Sequence, residues 1–305
     1  MSGYAVVFPG QGSHGVGIAD PWVGHPAGRA VLEEASEAMG RDVVAGCHDD
    51  AVLATTAFVQ PALLAVGLAG FAVCQAEGMP TPVGVAGHSL GEFGALVAAG
   101  VLTLPEALDL VVIRGEAMQR ASERNPGAMA ALLGLDAQAA DALCDDAREG
   151  DVLLVANFNS PVQSVASGSV AAIARLEALA KERKTRTVRL HVAGAFHSPL
   201  MEPAVAAIDE RVDALTFRAP RFPIAENVAG SLIDDPKELQ ALVRRHVISP
   251  VRWVDCARAL AGAGGSTFVE PGAGDVLTKL QRRIDPAVHA VSVGSPDGAR
   301  TLVTA

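Results

Sequence analysis

The segment Gly87-His88-Ser89-Leu90-Gly91-Glu92 lies between an apolar run from Val83 to Ala86 and a second from Phe93 to Ala99. A glycine-flanked serine between two such runs describes a strand that turns sharply into a helix, the arrangement of a nucleophile elbow. The turn needs glycine at 87 and 91, because a Cβ at either position collides with neighbouring backbone. It leaves the Ser89 hydroxyl at a helix start, where free N–H groups and the positive end of the helix dipole stabilise negative charge. The pattern has a second reading, since serine is a good N-cap and glycine a good turn residue, so GxSxG also fits a purely structural turn. Either way, a strand feeds directly into a helix, as in α/β folds.

The composition suits that class. Half of the 305 residues are hydrophobic, and Ala, Val, Leu and Gly predominate over aromatics, which lets helices lie close on a sheet. The length allows one large domain or two smaller ones. A net charge of −10, from 34 acidic and 24 basic residues, argues against general nucleic-acid binding. Cys47, Cys74, Cys144 and Cys256 form no CxxC pair, so neither a zinc site nor a disulfide framework is indicated. The opening MSGYAVVFPGQG lacks a basic n-region and breaks at Pro9-Gly10, unlike a signal peptide. The longest uncharged apolar stretch, Pro61 to Cys74, is too short to span a bilayer and reads as a buried helix. A soluble cytoplasmic protein is expected, with no membrane or nucleic-acid partner and no metal.

Along the chain, Tyr4 to Phe8 reads as a buried strand ending in a tight loop, Pro9-Gly10-Gln11-Gly12. Ala57 to Ala76 reads as a long apolar helix opened by Gln60-Pro61, and Thr103-Leu104-Pro105-Glu106 as a capping box that starts a helix running to about residue 123. Past Asn125-Pro126-Gly127 the texture changes. Strands are expected over Ala128 to Leu135, Val152 to Phe158, Ser164 to Gly168 and Thr185 to Val192, with helices over Ala137 to Arg148 and Val170 to Lys184. Strand-helix-strand-strand-helix-strand is the ferredoxin-like order. A small ferredoxin-like α+β domain over 127–193 is therefore expected, inserted into a large α/β domain made of 1–126 and 194–305. Phe268-Val269-Glu270 reads as a further strand of the large domain, followed by Pro271-Gly272-Ala273-Gly274 and a helix from about Val276.

A nucleophilic serine needs a base. His88 adjoins Ser89 but points elsewhere on an elbow. His197, in Gly194-Ala195-Phe196-His197-Ser198, lies between a strand end and a helix start, and a helix N-terminus would help keep its ring neutral. An inert loop histidine is the alternative. No acidic residue between 89 and 197 carries a motif that marks it as the third, orienting group; a backbone carbonyl could serve.

The motifs taken together resemble the malonyl-CoA:acyl-carrier-protein transacylases, and equally the stand-alone acyltransferases that serve polyketide synthases. The resemblance runs from Val7-Phe8-Pro9-Gly10-Gln11-Gly12-Ser13 through Gln60-Pro61-Ala62-Leu63, Gly87 to Glu92, Arg114-Gly115, Asn159-Ser160-Pro161, Gly194 to Pro199, Asn227-Val228 and Pro250-Val251-Arg252-Trp253 to Glu270-Pro271-Gly272-Ala273-Gly274-Asp275-Val276-Leu277. It implies a large α/β-hydrolase-like domain with a parallel-sheet core. It also implies Ser89 as nucleophile, His197 as base, and the backbone N–H groups of Gln11 and Leu90 as oxyanion hole. Arg114 would pair with the malonyl carboxylate, with Gln60 and Phe196 also in the substrate site. Phe before the histidine goes with malonyl rather than α-branched units, and Leu90 fits the same preference. His246 stands where many members have Gln and would orient His197 through its backbone carbonyl. His14 replaces a frequent Gln, with no function attached. The implied substrates are malonyl-CoA and a phosphopantetheine-bearing acyl carrier protein, with no permanently bound cofactor and a monomeric enzyme.

Carrier proteins are acidic and so is this chain, so docking requires a local basic patch. Lys181, Lys184 and Arg186, together with Arg183 and Arg189, form one candidate; Lys279, Arg282 and Arg283 form another. Solvated faces are the alternative reading of both. An acyl hydrolase would use the same elbow with water as acceptor, but has no need of a carboxylate clamp. A phosphate-binding module is disfavoured, because neither glycine-rich loop has the lysine of a P-loop or GxGxxG spacing.

Overall fold

The computed structural model describes residues 3–12 and 15–304. Ser13 and His14, at the end of the first motif, lie outside the described residues. In chain order the strands are β1 (Gly3–Phe8), β2 (Gly84–Gly87), β3 (Gly127–Leu133), β4 (Leu153–Ser160), β5 (Gln163–Ser169), β6 (Arg186–Arg189), β7 (Ile224–Glu226), β8 (Ser231–Ile233), β9 (Gly265–Pro271) and β10 (His289–Val293). One sheet has the order β10-β9-β1-β2-β7-β8, parallel except for the edge strand β8. The other is antiparallel, in the order β4-β5-β3-β6.

The parallel sheet is buried on both faces, which is why its central strands are continuously apolar rather than alternating. In β1, Ala5 and Val7 pack with Trp253, Phe268 and Leu277 on one face, while Val6 and Phe8 join the larger core on the other. That larger core is built around the helix Thr56–Ala76. At 21 residues this helix is longer than the run Pro61 to Cys74 and, by length and composition alone, could cross a membrane. Nearly all of it is instead buried inside the protein, against the helices Pro26–Met39 and Leu104–Arg124. An all-round apolar helix is what the centre of a core requires. Pro61 lies inside the helix rather than opening it. The helix Leu104–Arg124 begins at the expected capping box, with Thr103 and Glu106 each bonding the other's backbone N–H.

The antiparallel sheet places alternate residues on opposite faces. Ala130 and Leu132 of β3 and Ala166 of β5 pack under the helices Ala137–Arg148 and Val170–Glu182, whereas Met129, Ala131 and Val165 face the main core. The register of β4 against β5 shifts between Val155 and Asn157 and again between Phe158 and Ser160. Such bulges re-aim side chains, and here Asn157 and Asn159 turn toward the cavity between the two sheets. β6 is shorter than the alternating run Thr185 to Val192: its ladder with β3 covers Arg186–Arg189, beyond which the Leu190 N–H makes one further bond, to the Met129 carbonyl at 2.9 Å.

Candidate active site

Ser89 stands between the end of β2 and the helix Gly91–Ala98. A Cβ at Gly87 would land on the Gly91 carbonyl, and one at Gly91 on the Phe8 carbonyl, so this crossing of strand and helix admits only glycine. Ser89 itself has φ 51° and His197 φ 57°, both in the left-handed region that costs an L-residue about 1–3 kcal/mol. The backbone is strained at the two side chains that meet: Ser89 Oγ lies 2.7 Å from His197 Nε2.

The third group is not a carboxylate. His197 Nδ1 lies 3.0 Å from the main-chain oxygens of both His246 and Ser249. Both are acceptors only, so Nδ1 carries the proton and Nε2 presents its lone pair to the Ser89 hydroxyl. Sequence reasoning named His246 and missed Ser249. The available signal was Pro250: a residue before proline is driven to extended backbone, and Ser249 has φ −111° and ψ 151°.

Burial, then the Arg114 guanidinium, then His88 push the His197 pKa from its ordinary 6.5 down to about 3. The ring is therefore neutral across the physiological range. The His197 ring, followed by NMR from pH 8 to pH 5, is expected to show no titration near pH 6.5; a titration of this ring near 6.5 would contradict its burial beside Arg114. The sign for stability is opposite to that of a paired histidine. The unfolded chain binds a proton below 6.5 that the folded site refuses, so this group's contribution falls as pH drops from 6.5 toward 3, by about 1.4 kcal/mol per pH unit.

Arg114, on the helix Leu104–Arg124, is 1% exposed. Its Nη1 donates to Gln60 Oε1 at 2.7 Å and its Nη2 to Ser89 Oγ at 3.3 Å. Gln60 Nε2 in turn reaches Gln11 Oε1 at 3.4 Å. Burial lowers the Arg114 pKa to about 10, with the Glu92 charge opposing the shift, so the side chain remains a cation. These residues line a cavity of about 290 Å³ together with His88, Leu90, Phe196 and His197. Leu90 and Gln11 stand at its wall, and among the described residues neither main-chain N–H donates to another main-chain oxygen. Two such N–H groups beside a serine hydroxyl are placed as an oxyanion site would require.

Other placements were not legible. His88 Nε2 pairs with Asn159 Oδ1 at 2.7 Å, tying the elbow to β4. The His246 ring is buried 5.3 Å from the His197 ring, with Nε2 3.8 Å from Glu92 Oε2, so it lies behind the His197 ring rather than in the cavity. Burial first, then neighbouring Glu226, hold the Glu92 carboxyl well above the usual range. Lys181, Lys184 and Arg186 are exposed and do not line the cavity, although Leu190 and Val192, downstream of β6, do. Of the second basic cluster, Arg283 Nη1 bonds Gln163 Oε1 of the cavity wall at 2.7 Å.

The acyl transferase domain family matches residues 5–294. The malonyl CoA-acyl carrier protein transacylase of Escherichia coli K12 is 37% identical over 300 residues, covering 97% of each chain. The solved structure of an acyl-carrier-protein S-malonyltransferase from Burkholderia pseudomallei 1710b superposes with a TM-score of 0.95 at 36% identity, over 99% of this chain and 100% of that one. A solved complex of a type II polyketide synthase acyl-carrier protein with its malonyl-transacylase matches with a TM-score of 0.95 at 34% identity, over 99% of both chains. With a match that spans nearly its whole length, and a serine, a histidine and an arginine meeting in one cavity, the chain belongs to the acyl transferase family.

Proposed function

We propose that this protein moves malonyl from malonyl-CoA to the phosphopantetheine thiol of an acyl carrier protein, in fatty-acid or polyketide synthesis, through a malonyl ester on Ser89. The observation that carries the reading is the meeting of three groups at one atom: Ser89 Oγ has His197 Nε2 at 2.7 Å and Arg114 Nη2 at 3.3 Å. A nucleophile, its base and a buried cation that pairs with a carboxylate then share one cavity.

In the first half-reaction Ser89 Oγ attacks the thioester carbonyl while His197 Nε2 takes the hydroxyl proton. The oxyanion is held by the Gln11 and Leu90 N–H groups, each contributing about 3 kcal/mol to the barrier lowering. The C–S bond breaks, His197 returns the proton to the departing CoA thiolate, and malonyl remains on Ser89. In the second half the carrier thiol gives its proton to the same His197 and attacks the ester. A new C–S bond forms to the carrier, the ester C–O bond to Ser89 breaks, and His197 returns the proton to the Ser89 oxygen, a ping-pong sequence. Arg114 receives the malonyl carboxylate as a guanidinium fork, with Gln60 holding its Nη1 in position. Burial is the main cause of the lowered His197 pKa, and compensating the Arg114 cation relieves the second of its causes. Phe196, on the cavity wall, fills the space an α-methyl would need.

The reading assigns 1–126 and 194–305 to an α/β-hydrolase-like catalytic domain and 127–193 to a ferredoxin-like one, which the β4-β5-β3-β6 order supports. It makes the protein a cytoplasmic monomer with no resident cofactor, nucleic-acid partner or membrane. Lys181, Lys184 and Arg186 contribute to docking the acidic carrier. The hydrolase alternative is disfavoured by Arg114, which a neutral acyl chain would leave unpaired.

One experiment tests the whole sequence. Malonyl-CoA mixed with enzyme alone is expected to release about one CoA per site and then stop, with turnover resuming on addition of carrier protein. Continuous CoA release that ignores the carrier would make the protein a hydrolase. Methylmalonyl-CoA in competition measures what Phe196 excludes. Reversing the charges of Lys181, Lys184 and Arg186 is expected to raise KM for the carrier several-fold and leave KM for malonyl-CoA unchanged; equal effects on both, or none, reject the docking assignment.

A further inference from the structure

We infer that Asn227 is a positioning residue, which holds the nucleophile elbow in register with the segment that orients the base. The inference rests on Ser89 and His197 acting as proposed above. Asn227 follows β7 and is fully buried. Its side-chain amide spans the elbow: Oδ1 accepts from the Ser89 N–H at 2.8 Å, and Nδ2 donates to the Gly87 carbonyl at 2.6 Å. Its own main-chain N–H donates to Glu92 Oε2 at 2.9 Å, and its carbonyl accepts from the Arg252 N–H at 3.0 Å. Its backbone and side-chain polar groups are thus engaged by the elbow, the helix that follows it, and the segment leading into the helix Trp253–Gly262.

These bonds close a ring. Ser89 Oγ meets His197 Nε2; His197 Nδ1 meets the Ser249 carbonyl; the chain runs from Ser249 to Arg252; Arg252 N–H meets the Asn227 carbonyl; and Asn227 Oδ1 returns to the Ser89 N–H. The same segment bonds β4, with Val251 N–H to the Ala156 carbonyl at 2.8 Å and Phe158 N–H to the Val251 carbonyl at 2.9 Å. Asn227 is therefore where the backbone of the nucleophile is referred to the backbone that holds the base.

The elbow needs such a tie because Ser89 sits in the left-handed region, where an unconstrained L-residue relaxes. Fixing the Gly87 carbonyl and the Ser89 N–H fixes the peptide planes around His88 and Ser89. That holds the peptide on the N-terminal side of Ser89, from which Ser89 Oγ and the Leu90 N–H project. It also occupies the Ser89 N–H, so the elbow's donor toward the oxyanion is Leu90. A primary amide at this reach is the side chain that can donate to one of these groups and accept from the other; a carboxylate lacks the donor, and an aliphatic residue lacks both.

The test is Asn227→Ala, with Asn227→Leu to preserve volume, compared by rapid-quench acylation with malonyl-CoA alongside Tm and circular dichroism. The acylation rate constant is expected to fall about 100-fold, as for a misplacement near 1 Å. KM for malonyl-CoA should change less than about twofold, because the Arg114 anchor is untouched. A lower Tm with an unchanged acylation rate, or a loss confined to KM, overturns the inference. Should neither variant fold, amide exchange in the wild-type protein decides: slow exchange of the Ser89 N–H is expected, and rapid exchange there overturns the inference equally. Ser89→Ala run in parallel separates the two levels, since acylation persisting in it removes the nucleophile assignment itself, whereas its loss with full activity in Asn227→Ala removes only the positioning role.

Discussion

Ser89→Ala is expected to form no acyl-enzyme and to lower transfer by about 10⁵-fold or more, and His197→Ala to lower it by about 10⁴-fold, when label from malonyl-CoA is trapped on the protein and located by peptide mass. The two losses differ in kind. Without Ser89 no ester can form. Without His197 the hydroxyl keeps its oxyanion donors but has no acceptor for its proton, because the other group at Ser89 Oγ, Arg114 Nη2, is itself a donor. The double variant should lose little more than Ser89→Ala alone, since both residues act in one step. Label recovered from Ser89→Ala, or wild-type labelling of His197→Ala, would sink the mechanism.

Arg114→Ala is expected to lower kcat/KM for malonyl-CoA by about 10³-fold, the factor for about 4 kcal/mol lost when a buried carboxylate has no partner. The same change should leave acetyl-CoA unharmed or improve it. In the intact site a neutral acyl group leaves the guanidinium uncompensated beside His197, whose basicity burial lowers first and that cation second; removing Arg114 removes the second of these. Arg114→Lys should fall between, because an ammonium keeps the charge but not the fork that serves Gln60, Ser89 and the substrate together. The ratio of kcat/KM for malonyl-CoA over acetyl-CoA is the measurement, and a ratio that does not move in Arg114→Ala would remove the specificity role. Arg114→Ala also strands Gln60 Oε1, bonded at 2.7 Å, so some loss of Tm is expected beside the change in ratio.

The elements with local signatures were legible in advance. The capping box at Thr103 began its helix where expected, and the order of strands and helices between residues 127 and 189 matched its reading. β7 and β8 were not found. At three residues each they are too short to show a period, and their places in the sheet come from pairing, β7 with β2 and β8 with β7, rather than from their own pattern. The helix Pro26–Met39 also escaped notice. Its cap is His25, whose ring accepts from the Ala27 N–H, an unusual residue for that position.

The sequence by itself pointed to the elbow, because a turn that brings backbone carbonyls against the Cα atoms of residues 87 and 91 leaves no room for a Cβ there. It also singled out Ser89, His197 and Arg114 as candidates, through the motifs around them. Only the tertiary structure decided how they are held. His197 bonds carbonyls 49 and 52 residues downstream, Ser89 is tied to a side chain 138 residues away, and His88 reaches Asn159 across the two sheets. Such contacts leave no periodicity in the chain, because hydrogen-bond partners are chosen by the proximity that packing creates. The Ser89 elbow is local geometry; the set of groups around its hydroxyl is the product of the whole fold.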